Sequence, residues 1–187
     1  DPISAQGLIT TWFPQWGDWV KIVNPSGNTH KFYFTAADLN DYPTGTPIGS
    51  DGSGTYVNLL DPNTSELYNN TGAYAGQLAD AINSNSASAL EVSGYRMPDS
   101  EFEWTDLPTN HPQYNQGGVV NSISRNVLLT QEIGGASGNT TLIGNEDHLP
   151  YEERNLFLYP FGENGLRVGK DISVNSSPLL SIPPSPT

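Results

Sequence analysis

The sequence predicts an α+β fold: a small antiparallel sheet of hairpins with two main helices, at about 76–86 and 119–133, in a loop-rich chain. Three observations lead there. In two places, β-rich runs flank turn chemistry. Two other stretches repeat apolar residues at helical spacing. Between them, 19 Gly and 15 Pro punctuate a chain of 187 residues.

The first stretch, Ile9 to Trp19, is dense in aromatics and is expected to pack across a sheet face or an interface. Trp19-Val-Lys-Ile-Val23 then alternates, Asn24-Pro-Ser-Gly-Asn28 is turn chemistry, and Thr29-His-Lys-Phe-Tyr-Phe-Thr35 is β-rich, which together read as a hairpin. Residues 36–72 are broken by Pro43, Gly45, Pro47, Gly49, Gly52, Gly54 and Pro62, with one embedded strand at Thr55-Tyr-Val-Asn-Leu-Leu60. From Gly76 to Asn83, Leu78, Ala79 and Ile82 share one helical face. Ala89 to Met97 reads as a strand stopped by Pro98. Val120, Ile123, Val127 and Leu128 predict the second helix, closed by Gly134-Gly135. Asn155-Leu-Phe-Leu-Tyr159 and Leu166-Arg-Val168 flank Pro-Phe-Gly-Glu-Asn-Gly, the second hairpin. There is no internal repeat. Residues 1–175 are read as a single domain and 176–187 as a Pro-rich tail or linker.

Composition narrows the function. Lys and Arg total 7 against 20 Asp and Glu, a net charge of -13. That balance excludes nucleic acid, whose phosphates need clustered cations, and disfavours a helix lying on anionic lipid. No run approaches the roughly 18 apolar residues of a membrane span, so membrane insertion is not expected. Without cysteine the chain has no disulfide, cysteine-held zinc, iron–sulfur cluster or thiol nucleophile. It opens on Asp1 rather than Met, as a processed chain or a piece of a longer one does. Acidic, Lys-poor, Asn/Ser/Thr-rich composition suits an extracellular or cell-surface bacterial protein.

The segment Tyr114-Asn-Gln-Gly-Gly-Val-Val-Asn-Ser-Ile-Ser-Arg-Asn-Val-Leu-Leu129 sets an Asn-Ser pair near an expected helix start. Unpaired backbone N–H groups and the helix dipole there favour a nucleophile and an oxyanion. The segment resembles the helix-start motif of circularly permuted NlpC/P60-like domains of the papain-like fold, in which Tyr-Asn precedes Asn-Cys and an amphipathic helix. The resemblance implies Ser122 in the place of the usual nucleophilic cysteine, beside Asn121, with His30 as base. In the family the histidine opens the first strand of the preceding hairpin, where this chain has Asp18-Trp19; His30 is on the second strand. The implied function is hydrolysis or transfer of an amide or ester acyl group by a serine, in an active or inactive domain. Alternatively, Ser122 or Asn121 simply caps the helix. The protein is then a non-catalytic cell-surface, adhesive or filament-forming module, with self-association or a cell-surface polymer as its partner.

Other residues carry weaker signals. His30, His111 and His148 show no metal spacing. His30 is expected to face solvent or a neighbouring side chain, and His148 to sit in an acidic turn. Asp61, Asn63 and Ser65 offer alternating oxygens for calcium, although Glu66 and Gly72 depart from an EF-hand loop. Glu101 and Glu103 alternate with Phe102 and Trp104, as in a half-exposed strand or a carboxylate pair. Trp12, Trp16 and Trp19 are read as buried aromatics, as a platform for sugars, or as packing against a partner.

Overall fold

A computed structural model describes residues 1–97, 109 and 125–171. Its chain order is β1 (Gln6–Thr11), β2 (Trp19–Val23), β3 (Thr29–Thr35), β4 (Gly54–Asn58), α1 (Thr71–Ile82), β5 (Val92–Arg96), β6 (Asn126–Gln131), β7 (Leu142–Gly144) and β8 (Leu156–Tyr159). The fold is α+β and rich in loops, as expected. The strands form two sheets, ordered β5-β6-β1-β8 and β4-β3-β2-β7. All pairings are antiparallel except β3 with β4.

The two sheets share one core. Ile9, Val127, Leu129 and Leu156 of the first sheet meet Val20, Ile22, Phe32, Phe34 and Val57 of the second. Alternation decides which side chains enter it: β2 buries every second residue, and so does β3 as far as Phe34. Gln131 joins the sheets, donating its Nε2 to the carbonyl of Val23 at 3.0 Å and to Thr140 Oγ1 at 3.0 Å. At the other end, the buried Glu146 accepts the N–H groups of Asn155 and Leu156 at 2.7 and 2.9 Å, fixing the entry to β8.

Helix α1 packs within the same core. Asn70 caps it, accepting the Ala73 N–H at 2.8 Å. Tyr74, Ala75, Leu78, Ala79 and Ile82 form its buried stripe. Gly94 lets Ile82 come close, since a Cβ there would stand 3.2 Å from the Ile82 side chain. Asn83, at the helix end, exchanges side-chain hydrogen bonds with the backbone of Gly94 at 2.7 and 2.9 Å.

Three expectations are corrected. The helix expected at 76–86 begins five residues earlier and ends at Ile82, because Asn70 rather than Gly76 starts it. Within the helix expected over 119–133, residues 126–131 are the strand β6, paired to β1 on one side and β5 on the other. Val127 and Leu129 point into the main core, while Leu128 packs with Leu8 and Tyr159 on the opposite face. The stretch after Tyr159 does not fold back as a hairpin partner. Instead Gln6 donates its N–H to the Arg167 carbonyl and Ile3 bridges Lys170, so the chain start holds it. Among the described residues, no helix is long and apolar enough to cross a membrane.

Phe34→Ala is expected to lower the urea unfolding free energy by about 3–5 kcal/mol, because a large side chain leaves a closed core. Leu67→Ala, at an exposed position, is expected to change it by no more than about 0.5 kcal/mol.

Candidate binding face on the second sheet

The same alternation that fills the core lays out an outer face. Trp19, Lys21, Lys31, Tyr33 and Tyr56 project from it, and register sets Trp19 opposite Tyr33 and Tyr33 beside Tyr56. Tyr33 and Tyr56 meet edge to face, with centroids 5.7 Å apart. Tyr42 arrives from the loop before β4 and meets Tyr56 in the same way at 5.3 Å.

That loop is held by Asn58, whose Nδ2 donates to the carbonyls of Ala37 and Tyr42 at 3.0 and 2.7 Å. Thr46 and Gly45 then pair with the backbone of Tyr56, and Ile48 with Gly54, so this segment covers the free edge of β4. On the opposite side Trp16 stands in the turn before β2. Asp18 fixes the turn by accepting the Gln15 N–H at 2.8 Å and the Asn145 amide at 2.9 Å. Gly17 makes the bend at φ 102° and donates its N–H to Phe34 O.

The result is a groove of about 350 Å³ bordered by Trp16, Tyr42 and Ile48, with Tyr33, Tyr56 and Lys31 along it. Trp16 is 61% exposed and Tyr42 39%, so both rings present apolar area to solvent. Lys31 lies 5.1 Å from the Trp19 centroid and 5.0 Å from that of Tyr33, and Lys21 lies 5.2 Å from Trp19. Burial, with the charge of Lys21 adding to it, lowers the Lys31 pKa.

A second hollow, of about 270 Å³, lies on the first sheet between Trp12, Arg125, Tyr151 and Phe157. The Arg125 guanidinium stacks on Trp12 at 4.9 Å, and burial lowers its pKa. The three tryptophans of the N-terminal stretch therefore have different settings. Trp12 joins this hollow, Trp16 borders the groove, and Trp19 carries two lysines.

His30 is on the inner face, 3% exposed, with Nε2 2.7 Å from Thr55 Oγ1 and its ring against Phe32 at 4.9 Å. Its neighbour is thus a side chain of the core, not solvent. The Thr55 hydroxyl stands 3.4 Å from Ser86 Oγ, which is 2.9 Å from Ser84 Oγ and donates to the Gly45 carbonyl. Asn121, Ser122, His111, Glu101 and Glu103 lie outside the described residues. Asp61, Asn63 and Ser65 form a turn between the bridged Leu60 and Leu67. There Asp61 Oδ1 accepts the Asn63 N–H at 2.8 Å and Ser65 takes φ 58°. Among the described residues, no three His, Asp or Glu side chains gather as metal ligands. His148 is exposed, as expected of its acidic turn.

Sequence reasoning singled out Trp16 and Trp19 but missed Lys21, Lys31, Tyr33, Tyr42 and Tyr56 as one surface. The parity of β2 and β3 carried the signal for the residues on those two strands. In comparisons with known proteins, no family model, curated sequence or solved structure matches the chain.

Burial holds the His30 imidazole below its usual pKa, and the Asp51 carboxylate opposes this with a smaller effect. The unfolded chain therefore takes up the proton more readily. The stability this histidine contributes is present above its unfolded pKa of about 6.5 and is lost as pH falls toward the lower folded value. The stability difference between the native protein and His30→Gln, from urea unfolding, is expected to shrink as pH falls from about 7.5 to about 5. A difference that stays constant would separate His30 from the linkage.

Proposed function

We propose that this is a non-catalytic binding module of the cell surface or extracellular medium, and that it holds a glycan chain against the outer face of the second sheet. The observation that carries this reading is the groove between two exposed rings, Trp16 and Tyr42, with Tyr33 and Tyr56 between them. A pyranose ring offers C–H groups on its faces and hydroxyls around its rim. Flat aromatic rings take the faces, while tyrosine hydroxyls and backbone groups bond the rim. An open groove suits an extended polymer better than a small substrate, which is usually held in an enclosed cavity.

The edges of the groove rest on fixed turns rather than on loose side chains. Asp18 and Asn145 hold the Trp16 turn, and Asn58 holds the Tyr42 loop. Such pre-organisation lowers the entropy lost on binding. An acyl-transfer role for Ser122 would need a base, and His30, the base expected for it, is committed to Thr55 inside the core.

Native gels cast with soluble glucan, xylan or pectin test the reading. At least one polysaccharide is expected to retard the protein, and Trp16→Ala with Tyr42→Ala to weaken that retardation tenfold or more. Both positions are exposed, so the variant is expected to keep its melting temperature within a few degrees. Retardation that survives both substitutions would contradict the proposal.

A further inference from the structure

On the outer face, Lys21 and Lys31 are direct partners across β2 and β3. Lys31 donates its backbone N–H to Ser53 O, on the β4 side, so its rung with Lys21 is a non-hydrogen-bonded one. In such rungs the two side chains stand closest. Like charges directly opposite each other destabilise a sheet.

The chain has only three lysines, the third being Lys170, and 20 acidic residues that could have neutralised the pair. None does so. Among the described residues the two ammonium groups have aromatic contacts, Trp19 for both and Tyr33 for Lys31, and no carboxylate partner. Cation–π contact offsets part of the repulsion and holds both groups over the same ring. Two donors with six N–H bonds between them are thus gathered beside the groove, at the end where Lys31 enters it.

The geometry points to an anion subsite: Lys21 and Lys31, seated on Trp19, take the carboxylate of an acidic sugar whose chain lies in the Trp16–Tyr42 groove. This rests on the glycan reading above and names the class of glycan. A carboxylate has two oxygens, one for each ammonium, and its charge relieves the repulsion across the rung. The net charge of -13 further selects a chain with isolated acids over a dense polyanion. A single carboxylate meets the two lysines at contact, while charges farther than about 8–10 Å are screened at physiological ionic strength. A polyanion would set many charges against the rest of the surface.

The test uses a pectic oligosaccharide with one free galacturonate carboxylate and the same oligosaccharide fully methyl-esterified, titrated into the whole chain by calorimetry. Native protein is expected to bind the acid about tenfold more tightly than the ester. Lys21→Gln with Lys31→Gln is expected to abolish that preference, the acid then binding no more tightly than the ester. Near-UV circular dichroism checks that the variant keeps its fold.

Equal binding of acid and ester by native protein, or a preference that survives the lysine substitutions, overturns the anion subsite and leaves the glycan reading standing. Binding of both ligands that survives Trp16→Ala with Tyr42→Ala overturns the glycan reading itself. Failure to bind either ligand overturns the anion subsite, and failure of every polysaccharide to retard the protein overturns the glycan reading as well. Dimerisation seen by light scattering without sugar, and lost with the lysine substitutions, overturns the choice of occupant by assigning the face to a second copy.

Discussion

Asn24 governs the turn on which both faces of the second sheet depend. Its side-chain oxygen accepts the N–H groups of Ser26 and Asn28, and its own backbone closes the turn with Asn28 and Gly27. Gly27 takes φ 85°, which glycine adopts without the clash a Cβ would bring. This geometry sets the register of β2 on β3. A slip of one residue would turn every side chain to the other face. Phe32 and Phe34 would leave the core, and Lys31 and Tyr33 would enter it.

From that register the division of labour follows. The inner set, Val20, Ile22, His30, Phe32 and Phe34, is fully or almost fully buried and packs against the first sheet and α1. Among the described residues, no sheet lies over the outer set, Trp19, Lys21, Lys31 and Tyr33. A partly exposed cation next to an aromatic ring and another cation is a poor way to stabilise a fold, since the gain from the ring is set against the repulsion. Under the proposed function its value lies in recognition. The inner His30 is the reverse case: its pairing with Thr55 satisfies a polar group where water is absent, and that is a structural role.

The sequence made the hairpin legible because its signals are local: alternation on both sides of Asn-Pro-Ser-Gly. The parity that His30 shares with Phe32 and Phe34 carried its burial, although the sequence reading set it against solvent or a neighbouring side chain. β6 was not. Val127, Leu128 and Leu129 run apolar without a break, which hides a strand's alternation, and Val120, Ile123, Val127 and Leu128 also satisfy helical spacing. Only the long-range pairing with β1 and β5 decides between them. The start of α1 was hidden because Gly72 and Gly76 look like punctuation, although Gly72 is buried in the packed stripe. Of the candidate site, Trp16 and Trp19 were visible as aromatics. Tyr42 and Tyr56 were not, because a loop clamped by Asn58 brings the first to the second.

Among the described residues, two hollows set a tryptophan beside a cation, and they carry different tryptophans. Trp16 and Trp19 belong to the second sheet, and Trp12 to the Arg125 hollow on the first. The most direct measurement follows the indole N–H signals of ¹⁵N-labelled protein during titration with the mono-acidic pectic oligosaccharide. The Trp16 and Trp19 signals are expected to move together and saturate, while the Trp12 signal stays in place. Movement of Trp12 alone, or no movement of any indole, would contradict it.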